Sequence, residues 1–261
     1  IFPGSFDRAA VEGICVLFRE QNAATADPRL VFVFSPPLLA ALVDKSLVRQ
    51  ISVQTDAAAE TGGAANGTGK EMGGSRGQRF LLLEPIRDYA LARLETEGVG
   101  PQGTRAWLQR AHAAYYVGIA EAAAAALADE QVTAMAQLVR EYANLRAVLE
   151  WACTGGDLTL GLRLGAALRR YWLRRGAVGE GRAWLERMLA LADSSAGDLT
   201  AHIGAMEAAA WLASEQHDYA RAAQLYTESL ALRRALGAAG AEIGNDMQLL
   251  VNAALEGRTA G

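Results

Sequence analysis

With 261 residues, 51% of them hydrophobic, and a net charge of −4, the chain can bury a sizeable core and carries little electrostatic bias. Acidic and basic side chains balance over the first 95 residues, which excludes a duplex-DNA surface built on bulk positive charge. Cys15 and Cys153 lie far apart in apolar stretches, fit neither a disulfide framework nor a metal cluster, and read as buried thiols of a reducing, cytoplasmic compartment.

The opening IFPGSFDRAAVEGICVLF lacks an initiator Met, a basic n-region and a cleavage pattern, so nothing marks a secretory signal and the chain reads as cut from a longer protein. Ala10, Ile14, Leu17 and Phe18 fall at helical spacing and predict a helix over 7–21 with Asp7 as its cap. The apolar run LVFVFSPPLLAALV is broken by prolines and falls short of a membrane span. Its second half predicts a helix from Pro36 that ends near Ser46.

LVRQISVQ (47–54) and RFLLLE (79–84) read as two short strands, followed by a helix over 84–98 with Pro85 in its first turn and Gly98 as its stop. Between the strands, TGGAANGTGKEMGG has the look of a phosphate-binding loop. A true one needs Gly, four residues, then Gly-Lys-Ser/Thr, because backbone amides curl around the phosphates while the hydroxyl binds magnesium. Here Ala64 stands at the first glycine position and Glu71 replaces the hydroxyl residue. Slack chain is the better account: residues 55–78 are expected to be a disordered connection between paired strands. Helix, helix, strand, long loop, strand, helix is the outline of a winged-helix module over 1–98.

Beyond Pro101 the pattern is helical without strands, with helices expected over 104–127, 131–153, 158–175, 180–192, 199–215 and 219–236. The short Gly-, Ser- and Asp-rich links require antiparallel neighbours. GAVGEGRAWLERMLALAD (176–193) aligns with HDYARAAQLYTESLALRR (217–234) at an offset of 41 residues, pairing Gly181 with Ala222 and Leu185 with Tyr226. The expected fold is therefore mainly α, a winged-helix module followed by an antiparallel, tetratricopeptide-like helical-repeat superhelix over 104–261 that is truncated at its C-terminus.

IFPGSFDRAAVEGIC, LLAALVDKSLV, RFLLLEPIRDYALARL, RAHAAYYVGIAEAA, EYANLRAVLEWA and RRYWLRRGAVGEGRAWLERMLALA together resemble the region that follows the ATPase module in large bacterial signal-transduction NTPases, among them LuxR-type and SARP-type transcriptional regulators. The resemblance implies a regulatory region that receives a protein partner or small-molecule inducer and restrains an upstream ATPase in cis. ATP and magnesium would bind only upstream, with no cofactor and no catalytic residue in this stretch. Two departures stand out. The wing connection is long, and Ser5 stands where such proteins often have glycine.

The most suggestive cluster is RRYWLRRG, in which Arg169, Arg170, Arg174 and Arg175 are interleaved with Tyr171 and Trp172. Guanidinium groups one helical turn apart suit bidentate binding of an acidic peptide, a phosphate or the ATPase. The structural reading has their stems packing on the aromatic rings and their charges meeting water, Glu180 or Glu186. Asn144 inside a helix is expected to hydrogen-bond across a helix pair. Trp151, Trp184 and Trp211 recur in helices and are expected in the core.

His112, His202 and His217 lack partners at metal-ligand spacing, and Glu84 with Asp88 is neighboured by Arg87 with no cleft implied, so no enzyme and no metal site are expected. Under the alternative of a DNA-reading winged helix, Lys45 and Arg49 would face DNA, a sparse basis for major-groove recognition. Nucleic acid is thus not the expected partner, and oligomeric state is not legible.

Overall fold

A computed structural model describes residues 2–21, 36–52, 78–96, 103–128, 132–192 and 198–236. The expected wing loop lies outside these residues apart from Gln78, which opens a strand, and so does the stretch after Leu236. The protein is mainly helical with one small antiparallel sheet. Two compact units divide at residues 111 and 112. No described helix is long and apolar enough to cross a membrane.

The first unit contains β1 (Phe6–Asp7), α1 (Arg8–Gln21), α2 (Pro36–Asp44), β2 (Val48–Ser52), β3 (Gln78–Leu82) and α3 (Glu84–Thr96). The sheet order is β1-β3-β2, both pairings antiparallel, with Phe6 and Gln50 on either side of Phe80. At two residues β1 is too short to show alternation in the sequence, and only its pairing with β3 defines it. Asp7 caps α1 as expected, its Oδ1 accepting the Ala10 N–H at 2.8 Å. Phe2 stacks on Phe6 at 4.2 Å, and Ile14, Phe18, Val48 and Phe80 are buried in the same unit. Ser5 has a structural use that glycine lacks: the buried Arg79 donates through Nε to its hydroxyl at 2.9 Å and through Nη2 to its carbonyl.

The remaining helices are α4 (Gly103–Ala128), which runs through the division, α5 (Val132–Cys153), α6 (Leu158–Arg174), α7 (Val178–Leu191), α8 (Leu199–Glu215) and α9 (Tyr219–Leu236). Their ends fall within two residues of those expected. α6 packs against α5, α7 and α8, and α8 packs against α6, α7 and α9, so hairpins α6–α7 and α8–α9 stack side by side.

The 41-residue repeat is written into the backbone. Asp157 and Asp198 cap the first helix of each hairpin, accepting from Leu160 N–H and from Thr200 and Ala201 N–H. At the tip of each hairpin one residue is left-handed, Gly176 at φ 67° and His217 at φ 61°. The next amide then closes the turn, Ala177 to the Trp172 carbonyl and Asp218 to that of Ala213, both at 2.9 Å. Packing differs between the copies. A Cβ on Gly181 would collide with the Trp172 indole, whereas the second hairpin has Ala213 and Ala222 at the matching places.

Candidate functional site

α6 is the central helix, and one of its faces remains open between α4 and α8. A groove of about 350 Å³ lies there, with Glu121 on α4, Arg163, Ala166 and Ala167 on α6, and the cap Asp198 and Gly204 of α8 among its walls. Its floor is shallow because the side chains are small, while charged groups stand at its edge. Arg163 grips Glu121 with both arms, Nε to Oε1 at 2.9 Å and Nη2 to Oε2 at 2.8 Å. Both side chains remain about 40% exposed, so the pair neutralises charge more than it stabilises. The hydrogen bond to Glu121 raises the pKa of Arg163, with smaller contributions from Asp198 and Asp157.

The arginine cluster lies further along α6. Arg169 places its guanidinium 5.3 Å from the centroid of the Trp211 ring, and Arg174 donates through Nη2 to the Leu127 carbonyl at 3.4 Å, near the C-terminal end of α4. Arg170 is half-buried and Arg174 and Arg175 are exposed; among the described residues Arg170 makes no ion pair. Tyr171 and Trp172 are withdrawn from this surface, at 4% and 0% exposure. Burial pushes the Tyr171 hydroxyl up, offset in part by the charge of Arg175.

Those two rings belong to a polar cluster that links three helices and opens to solvent at Glu180. Tyr142 stacks on Tyr171 at 4.9 Å, accepts the Trp172 indole N–H at 3.1 Å and donates to Glu180 Oε1 at 2.6 Å. Burial first, then the bond to Glu180, raises the Tyr142 pKa, so the hydroxyl keeps its proton. A link from α5 to α6 to α7 spanning 38 residues between Tyr142 and Glu180 leaves no sequence signal.

Trp172 is the core tryptophan, and the three expected there are each only half-buried. Trp211 is covered by Arg169, the guanidinium of Arg187 lies 6.0 Å from the Trp184 centroid, and Trp151 sits over the turn at Gly156. Helical spacing locates a face but not the depth of the neighbour behind it. Asn144 is fully buried and donates to Glu141 Oε2 at 3.2 Å within its own helix. Cys15 is buried, but Cys153 is only half-buried.

In the first unit the exposed positions between 37 and 49 are Pro37, Leu38, Ala40, Asp44, Lys45, Ser46 and Arg49, so Lys45 and Arg49 are solvent-facing without a wider basic cluster among the described residues. Arg87 approaches Glu84 at 3.5 Å and Asp88 at 3.4 Å, which ties up those carboxylates at the surface. Among the described residues no group of three His, Cys, Asp or Glu side chains is placed to hold a metal.

The fold and the groove define a mainly α, helical-repeat protein. The chain is similar, at 29% identity over 188 residues, to proteins of Mycobacterium bovis and of two Mycobacterium tuberculosis strains that carry the provisional name of HTH-type transcriptional regulators. The match covers 72% of this chain and 17% of each relative, so the chain corresponds to about a sixth of their length. No family profile and no solved structure matches the chain.

Proposed function

We propose that this chain is a non-catalytic interaction region of a larger bacterial transcriptional regulator, a winged-helix linker joined to a tetratricopeptide-like array that restrains an ATPase in cis until a partner or inducer binds. Nucleotide and magnesium would be held by that ATPase. The observation that carries the reading is the stack of two like hairpins beside an open groove, since short repeats bury one continuous core while leaving a concave strip of side chains available. The relatives' size and naming fit a region embedded in a longer regulatory protein. Release would be a population shift, the ligand favouring the arrangement in which the ATPase is free.

Titrating the parent's ATPase segment against the 261-residue chain tests the reading. Saturable binding, with ATP turnover lowered as the chain is added, is the expected result; no binding at low salt overturns restraint in cis. Direct DNA reading by α2 has less support, because its exposed face is largely apolar and carries Asp44.

A further inference from the structure

We infer that the groove between α4, α6 and α8 is the docking site for an acidic segment of a protein partner, which lays small apolar side chains over Ala166, Ala167 and Gly204 and brings its carboxylates to Arg170 and Arg174. This rests on the interaction role proposed above and names the chemistry of the partner.

Gly204 is the first observation. It lies in the interior of α8, where glycine is less favourable than alanine, and packing does not require it. A Cβ added there would meet only the Ala166 Cβ, at the ordinary contact distance of 3.8 Å. Gly161, Gly165 and Gly181 are different: each is pressed against a neighbour that leaves no room for a methyl group. The space above Gly204 opens into the groove. A glycine there lets a bound backbone approach closely.

Charge is the second. Arg170 and Arg174 lie two to three turns along α6 from Arg163 on the same helical face, roughly 10–17 Å away. Trp211, two turns from Gly204, continues the wall on α8 and is half-buried beneath Arg169. Glu207 in this region is already neutralised by Arg233 at 2.6 Å. Glu215 alone offsets the arginines here among the described residues of α8 near its C-terminal end. At the opposite end Asp157 and Asp198 add negative charge while Glu121 is matched by Arg163. Among the described residues the Arg170 end of the groove therefore carries more positive than negative charge, and a carboxylate-bearing segment fits in one direction only.

The test uses the 261-residue chain and two fluorescein-labelled amphipathic peptides of about four helical turns. They share an Ala/Leu centre and carry either glutamates or lysines at one end. Anisotropy is read at low and moderate salt. Saturable binding of the glutamate peptide, weakened by salt and lowered about tenfold by Arg170→Glu, is expected; the lysine peptide should not saturate. Gly204→Leu should fill the floor and lower affinity about tenfold, while circular dichroism keeps its helical signal and melting temperature. Equal binding of the two peptides, or binding untouched by either substitution, overturns the assignment. The ATPase titration separates the two ideas. ATPase binding insensitive to both substitutions leaves restraint intact and removes the groove from it, whereas glutamate-peptide binding without ATPase binding keeps the groove and refutes restraint.

Discussion

Gly181 of α7 lies directly beneath the indole of Trp172 of α6, close enough that any side chain at 181 would enter the ring. The indole is fully buried and its N–H is held by Tyr142, so the ring cannot swing aside without losing a hydrogen bond in the core. Gly181→Ala should therefore destabilise the helical unit by about 1–3 kcal/mol through overpacking. Trp172→Ala should cost about 3–5 kcal/mol through the cavity it leaves. Because alanine at both places is what the second hairpin already carries at 213 and 222, the double substitution should cost less than the sum by roughly 1 kcal/mol or more. Urea melts of the four proteins check this; strict additivity would show that the contact is not the constraint.

The left-handed tip of the second hairpin is occupied by His217, where the first has Gly176. His217→Gly should raise stability by about 0.5–1 kcal/mol by relieving the Cβ, even though the ring loses its 2.9 Å contact with the Tyr219 hydroxyl at the surface. Gly176→Ala should lower stability by a similar or larger amount. Asp157→Ala removes a cap and should cost about 1 kcal/mol, with Asp157→Asn recovering most of it. Thermal melts rank the four variants.

Arg182 joins the hairpins. From α7 it reaches Asp218 at 2.6 Å, Gln216 at 3.1 Å and Glu186 at 3.0 Å, while Arg221 of α9 approaches Glu186 at 3.5 Å. Arg182→Ala should cost on the order of 1 kcal/mol, and Arg182→Lys should recover only part, because an ammonium cannot span three acceptors as a planar fork does. The hydrogen bond from Arg182, then that from the Arg221 amide, holds the Asp218 carboxyl below its ordinary range. A depressed carboxyl contributes stability above its unfolded pKa and loses it as pH falls through the folded one, so the Arg182→Ala deficit should shrink in acid. A deficit unchanged down to strongly acidic pH would place the energy in packing of the Arg182 stem.

His112 is buried, and burial pushes its imidazole down to about 3. The unfolded chain takes up a proton near the ordinary value of 6.5 while the folded one does not, so stability falls as pH drops from about 6.5 towards 3, by at most about 1.4 kcal/mol per pH unit. His112→Phe should flatten this limb of the pH–stability curve, and NMR titration of the imidazole should show no protonation at pH 5. An ordinary titration near pH 6.5 in the folded protein would contradict the assignment.

Helix positions, the antiparallel links and the 41-residue repeat were legible in the sequence because they depend on local periodicity, capping aspartates and turn residues that act within a few positions of themselves. Arg170 and Arg174 were also legible as a cluster, since a helix places them one turn apart whatever surrounds it. What they adjoin was not. The groove forms only when α4 and α8 settle on either side of α6, Arg163 finds Glu121 across 42 residues, and Trp172 rather than Trp151, Trp184 or Trp211 takes the core. β1 likewise exists only through β3. Periodicity specifies a face, but burial and partnership depend on which neighbour covers that face, and tertiary packing alone decides it.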